Sequence, residues 1–334
     1  MSTLTKHTIQ QIFNSFSLQR ILIIGDVMID GYVFGKVSRI SPEAPVPIVA
    51  IEKKEYRLGG AANVALNIKN LGAYPIICSV VGNDDAGAQY IKLMQEAGLS
   101  TQGIIVENQR PTTQKSRIIS SGQQLMRIDE EIQTPVTEST HRLLLKKITD
   151  LLETDTIDAI VFEDYDKGVL TADFISAVLQ LAKTHHVPTT VDPKQKHFNH
   201  YRGVSLFKPN FKELKEGLHI SLEIPNEEQL SRAVLPFMRQ QNIENMVVTL
   251  SEHGIFVQTP NKKQIIPTIE RSIADVSGAG DTVISILTLG LAAQADLFLT
   301  ASIANLAGGL VCESVGVIPI DKDALYTEVV TTLL

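Results

Sequence analysis

Short apolar runs recur along the chain, and each is followed by a stretch with helical spacing. They occupy residues 21–24, 76–80, 159–162, 189–191, 204–207 and 246–250. The first, Ile21-Leu22-Ile23-Ile24, is β-branched and apolar at every position, as in a strand buried on both faces. Strands of that kind alternating with helices predict βαβ units and a mostly parallel sheet covered on both sides. With 334 residues, 44% of them hydrophobic, the chain can bury one large core, and we read residues 1–334 as a single α/β domain with a small appendage. In open α/β sheets, ligands bind beyond the carboxyl ends of the strands. Polar residues gather there: Glu163-Asp164 with Lys167, Asp192-Pro193-Lys194, Lys208-Pro209-Asn210 with Glu213, and Thr249-Leu250-Ser251 with Gly254. Lys194 could neutralise a phosphate, Asn210 and Glu213 could organise a hydrated Mg²⁺, and residues 249–254 could hold a nucleotide.

Two glycine-bearing turns bound this pattern. In Val276-Ser277-Gly278-Ala279-Gly280-Asp281-Thr282, small residues deliver one carboxylate to the start of an apolar helix. Bare amides at such a helix start suit a phosphate. Asp281 is then either the N-cap of that helix or a general base beside the phosphoryl group. The second turn, Gly59-Gly60-Ala61-Ala62-Asn63, opens a helix that stops at Leu71-Gly72, and Asn63 offers a donor and an acceptor to a hydroxyl. The double glycine is explained as well by close packing of helix on sheet. Asp26 and Asp30, four apart after the first strand, read either as loop caps or as carboxylates accepting from a polyol.

Residues 32–58 and 111–129 break the alternation. Pro42, Pro45 and Pro47 among Val46, Ile48 and Ile51, and charge in Glu52 to Glu55, are habits of edge strands. A second piece from Thr113 to Ile119 turns at Ser121-Gly122 and returns through Leu125 to Asp129. Together they predict a small sheet outside the main fold, acting as a lid or as a dimer contact. It carries Arg39, Arg57, Lys115, Arg117 and Arg127.

The formal net charge of −7, without a Lys or Arg run, excludes a nucleic-acid footprint. Cys78 and Cys312 lack CxxC partners, so neither a disulfide framework nor a zinc knuckle is encoded. The long apolar region 283–311 is cut by Gln294 and Asp296 and reads as two buried helices, not a membrane span. The first residues lack a signal peptide's succession, and we expect a soluble, cytoplasmic protein.

Four motifs together, Gly59-Gly60-Ala61-Ala62-Asn63, Lys208-Pro209-Asn210-Phe211-Lys212-Glu213, Val248 to Gly254, and Gly278-Ala279-Gly280-Asp281, resemble the ribokinase-like (PfkB) carbohydrate kinases. The resemblance runs from about Leu18 to about Ile320. More narrowly, Ser38 to Pro47, Asp164-Tyr165-Asp166-Lys167-Gly168-Val169-Leu170 and Asn305-Leu306-Ala307-Gly308-Gly309 resemble the heptose 7-phosphate kinases of lipopolysaccharide-precursor synthesis. Glu163-Asp164 stands where those kinases commonly have Ser-Asp. Bifunctional members carry a nucleotidyltransferase after the kinase, and the expectation here is the kinase part alone.

The resemblance implies a three-layer sandwich with a β-sheet lid, ATP and Mg²⁺ as cofactors, and a sugar phosphate as substrate. It implies that Asp281 takes the sugar hydroxyl proton and that the amides of Gly278, Ala279 and Gly280 form the anion hole. Asn210 and Glu213 would lie at the Mg²⁺ end, Glu213 indirectly; Thr249, Ser251 and Gly254 would contact nucleotide, with Lys194 near phosphate. Asp30, Gly59, Gly60 and Asn63 would hold the sugar, and Arg39, Lys115 and Arg117 would meet its phosphate. Asp275 and Ser277 stand where the ligands of a potassium ion would come from. The lid would also pair two copies in a homodimer.

Overall fold

The structure, a computed structural model, describes residues 4–223 and 225–334. Its strands are β1 (Arg20–Gly25), β2 (Val27–Ile40), β3 (Pro47–Gly60), β4 (Tyr74–Gly82), β5 (Ile104–Glu107), β6 (Gln114–Ser120), β7 (Gln123–Glu130), β8 (Ala159–Glu163), β9 (Thr189–Asp192), β10 (Leu206–Phe207), β11 (Asn245–Thr249), β12 (Ile255–Gln258) and β13 (Lys263–Ile266). Nine of them form one sheet in the order β13-β12-β11-β10-β9-β8-β1-β4-β5. From β11 to β5 every neighbouring pair is parallel; β12 and β13 are added antiparallel at one edge. The chain leaves β1 for β4 on one side and returns through β8 on the other, so the order reverses beside β1. Crevices open at such switch points.

Ile21 to Ile24 are fully buried because each face of β1 meets its own apolar layer. Ile21 and Ile23 pack with helices Ala61–Asn70, Ala279–Ala292 and Leu297–Cys312; Leu22 and Ile24 pack with helices Glu138–Thr154, Ala172–Thr184 and Glu227–Gln241. Most helices start on a side-chain cap: Thr137, Thr171, Asn226 and Asp296 each accept an amide of the first turn, worth about 1 kcal/mol apiece. The apolar region 283–311 is indeed two helices, parted at Ala293 to Asp296. Among the described residues no helix is long and apolar enough to cross a membrane.

The segments expected to stand apart form a second sheet, β3-β2-β6-β7. Pro42 and Pro45 lie in the connection between β2 and β3, and Pro47 is the first residue of β3. Ser121 and Gly122 both take positive φ, 50° and 76°, which joins β6 to β7 by a tight hairpin turn. The ladder reaches further inward than the expected 32–58, starting at Val27↔Gly60. Val27, Met28, Ile29 and Leu58 are apolar and buried, so pairing continues until the strands meet the core.

Candidate active site

The carboxyl ends of β1, β8, β9, β10 and β11 converge on one crevice. Asp26, directly after β1, is buried and organises its floor. Its Oδ2 accepts from the amides of Tyr165 and Lys167, both at 3.0 Å, and its Oδ1 from Val169 at 3.1 Å. It therefore fastens the loop that follows β8, the loop-cap alternative for this residue. Burial, with Asp164 nearby, raises its carboxyl to about 6 despite these donors. Asp164 itself accepts from His197 and Tyr201 behind the loop.

Asp281 does not cap its helix. The N-cap position is Gly278, at φ 84°, and Asp281 lies in the first turn with its side chain turned into the crevice. Oδ2 accepts from Asn63 Nδ2 at 2.7 Å and Oδ1 from the Tyr165 hydroxyl at 2.8 Å. Only 5% of the residue is exposed. Burial raises its carboxyl to about 6, against the pull of the Asn63 and Tyr165 hydrogen bonds; Asp192 adds to the rise and Lys208 opposes it. A carboxylate poised so near neutrality is suited to general-base work.

Glycine is required at Gly278 by its left-handed backbone, and any Cβ there would stand 2.9 Å from Asn63 Nδ2. At Gly280 the constraint is milder: a Cβ would meet Asp192 Oδ2 at 3.5 Å and Lys208 Nζ at 3.7 Å. Those two form a buried ion pair of 2.8 Å. Burial works against the Lys208 ammonium, but Asp192 and Glu213 more than compensate and raise it. Carboxylate oxygens of Glu163, Asp192 and Asp281 lie within 4.8 Å of one another. Glu163 is 1% exposed, and its Oε2 has no hydrogen-bond partner among the described residues. Burial, reinforced by Asp192 and Asp281, holds its carboxyl well above the usual carboxylate range.

On the small-sheet side, Asp30 is buried and ion-paired with Arg117. A Cβ at Gly59 would come within 2.2 Å of Asp30 Oδ2, so the first glycine of the pair makes room for this carboxylate. Gly60, at φ 61°, is the N-cap of the Asn63 helix. The guanidiniums of Arg57 and Arg117 lie 4.6 Å and 5.4 Å from the centroid of the Tyr32 ring. The Tyr32 hydroxyl accepts from the Val317 amide at 3.2 Å. Lys115 is neutralised by Asp129 and Glu131, and Glu131 also holds Lys167. Arg39 is exposed and lies beyond Gly35, where β2 last pairs with β6.

On the opposite side, Lys194 is ion-paired with Glu213. Asn210 Oδ1 accepts the Glu213 amide at 2.8 Å and Glu213 Oε2 the Asn210 amide at 2.9 Å, a capping box. Both Glu213 oxygens are thus occupied, which fits a cation reached through water and not one ligated directly. Thr249 ends β11 and bridges to Asn210. Ser251 at φ 53° and Gly254 at φ 88° close a tight turn after it. Asp275 accepts the amides of Ser277 and Gly316, both at 2.9 Å, so its carboxylate braces the loop leading to Gly278. These donors hold it below its ordinary value although burial acts the other way.

The crevice thus brings together Asp281, Gly278, Ala279, Gly280, Asn63, Gly60, Asp30 and Arg117 at one end and Lys194, Asn210, Glu213 and Thr249 at the other. Asn63, expected at a sugar hydroxyl, gives one Nδ2 hydrogen to Asp281. Tyr165, Lys208 and Tyr32 enter as residues without a predicted role. Tyr165 had one available signal, its place two residues after a strand end.

A parallel sheet with its crevice at a switch point and a glycine-bearing helix start with a buried carboxylate beside it make an α/β protein built to bind an anionic ligand at that end, as a phosphotransferase requires. A sequence model described as pfkB family carbohydrate kinase matches residues 18–323, and the chain belongs to that family: it is a sugar kinase with the ribokinase-like fold. It is 42% identical over 296 residues to the bifunctional protein HldE of Wolinella succinogenes, covering 89% of this chain and 61% of that protein. Against HldE of Helicobacter pylori strain J99 the identity is 38%, covering 90% of this chain and 64% of the relative. The chain thus spans less than two thirds of the length of these relatives. The fold is that of phosphofructokinase-2 from Escherichia coli in complex with potassium, with a TM-score of 0.77 at 17% identity over 94% of this chain and 99% of that one. Arabidopsis thaliana ribokinase complexed with ribose and ATP gives 0.70 at 17% identity, covering 93% and 98%.

Proposed function

We propose that the chain is an ATP-dependent kinase that phosphorylates the anomeric hydroxyl of D-glycero-D-manno-heptose 7-phosphate, giving the 1,7-bisphosphate for nucleotide-heptose and lipopolysaccharide precursors. The observation that carries the reaction type is Asp281, a buried carboxylate raised to about 6 beside the Gly278 to Gly280 turn. The similarity to HldE and the Ser38 to Pro47 and Asp164 to Leu170 motifs support this choice of substrate.

In this reading Asp281 removes the proton of the attacking hydroxyl, and the amides of Gly278, Ala279 and Gly280 receive the charge of the transferring phosphoryl. Bound Mg²⁺ would supply charge neutralisation for the phosphates. Lys194 would meet a nucleotide phosphate, Asn210 and Glu213 would organise the hydrated metal, and Thr249, Ser251 and Gly254 would border the nucleotide. Asp30 with Gly59 and Gly60 holds the sugar, and Arg117, with Lys115 nearer the root of the small sheet and Arg39 further out, faces its phosphate. Asp275 and Ser277 would hold K⁺. The small sheet would act as a lid that excludes water. Its outer strand β7, exposed throughout with Leu125, Met126 and Ile128 uncovered, supports pairing with a second copy.

The test is ADP release over a panel of sugars and sugar phosphates, with NMR assignment of the phosphorylated carbon. Turnover on heptose 7-phosphate at carbon 1, far above fructose 6-phosphate and ribose, is expected. Preference for another sugar would overturn the substrate, and ADP release with none would overturn the reaction.

A further inference from the structure

The Asp164-Tyr165-Asp166-Lys167-Gly168 motif has no part in the proposed transfer so far, yet its tyrosine touches the base. The Tyr165 hydroxyl donates to Asp281 Oδ1 at 2.8 Å. Its backbone is tied down, because Asp26 accepts the amides of Tyr165, Lys167 and Val169. Its ring is pinned as well, with Lys194 Nζ 5.5 Å from the centroid. A fixed phenol therefore meets a carboxylate fixed from the other side by Asn63.

We propose that Tyr165 is a positioning residue for the transfer: its hydroxyl keeps Asp281 ionised in the free enzyme and sets which lone pair faces the sugar hydroxyl. The inference rests on the reading of Asp281 as the base.

The groups around Asp281 show why such a donor is needed. Asp192 at the end of β9 places negative charge beside it, the buried Glu163 carboxyl at the end of β8 closes off water, and Lys208, after β10, is engaged by Asp192. A buried carboxylate in acidic company takes up a proton too early, and a protonated base cannot act. Hydrogen bonds to its charged form oppose that. Among the described residues only Asn63 and Tyr165 supply them from side chains, at one oxygen each. During transfer the sugar O–H bond breaks, its oxygen bonds to the γ-phosphorus, and the P–O bond to ADP breaks with its electron pair. The hydroxyl proton passes to Asp281. Burial and the surrounding carboxylates keep the Tyr165 phenol protonated, so it donates throughout and takes up no proton.

Tyr165→Phe removes one oxygen and keeps the ring under Lys194. The acid limb of kcat/KM against pH is expected to move to higher pH by about one unit, the worth of a hydrogen bond to a charged group. Protein labelled with ¹³C at the aspartate carboxyl gives the same shift without turnover, the Asp281 signal being identified by its loss in Asp281→Asn. Replacing Tyr165 by 3-fluorotyrosine, a stronger donor, should move both readouts to lower pH, and it serves if the Phe variant does not fold. An Asp281 titration that stays put, or moves the same way in both variants, overturns the proposal. Full turnover in Asp281→Asn would instead remove Asp281 as base, while the carboxyl titration still decides what Tyr165 does to it.

Discussion

Replacing Asp26 by Asn sets two structural effects against each other, and their balance changes with pH. The carboxylate accepts three loop amides, at 3.0, 3.0 and 3.1 Å. An Asn oxygen can replace Oδ2 for Tyr165 and Lys167, but its NH₂ then confronts the Val169 amide. A lost charged hydrogen bond and an unpaired buried donor cost about 2–4 kcal/mol together. Opposing this, burial raises the Asp26 carboxyl from 3.8 to about 6. A raised folded-state value means that between those limits the native protein holds more proton than the unfolded chain, so this group's contribution falls as pH rises through the window. From pH 5 to pH 7 the wild type should lose roughly 1 kcal/mol from Asp26 that the Asn variant never had. The variant should therefore be less stable at pH 5, with the gap narrowing by that amount at pH 7. Urea unfolding of both proteins by far-UV circular dichroism at three pH values measures it, because groups common to both cancel. A gap that is constant or widens with pH would refute the assignment of a raised, loop-binding carboxyl.

Three more substitutions test the crevice. Asp281→Asn should leave ATP affinity by calorimetry nearly unchanged while turnover falls by about 10²–10⁴-fold, the usual share of a general base; near-normal turnover would remove it from that role. Arg117→Ala should weaken binding of a phosphorylated sugar more than its unphosphorylated parent, with equal losses speaking against a phosphate contact. Gly59→Ala drives a methyl to 2.2 Å from Asp30 Oδ2, so KM for the sugar should rise several-fold while KM for ATP holds; an unchanged sugar KM would separate Asp30 from the substrate.

The parallel sheet was legible because strands buried on both faces must be apolar throughout, and residues 21–24 and 159–162 have no other use for such a run. The outer strands β5, β12 and β13 were not: they have four residues each and mix polar with apolar positions, so no continuous apolar run marks them. Asp281 stood out through its glycines, yet setting the cap aside needed the third dimension, because Asn63, which its carboxylate faces, lies 218 residues away. Lys208 was visible only as part of a motif, since its partner Asp192 comes from the neighbouring strand. Tyr165 was hidden for a related reason: no spacing distinguishes a tyrosine that reaches across the crevice from one that packs beneath it. The contact between Tyr32 and Val317 depends on how the small sheet leans on a loop 285 residues later.

The pairing of β2 with β3 also settles a mechanical question. Each is 14 residues long, and they are paired from the crevice floor at Val27↔Gly60 to their far end at Ile40↔Pro47. That is a beam about 45 Å long, anchored at the root, with its hydrogen-bond ladder interrupted between Phe34 and Gly35 and between Val37 and Arg39. A hinge made of loose linker would let the sheet swing at no elastic cost. Here it can travel only by flexing a ribbon, and the compliance is concentrated at those two breaks. The inner section, with Asp30 and Gly59, has an unbroken ladder, so the Asp30 carboxylate keeps its place whatever the outer half of the sheet does.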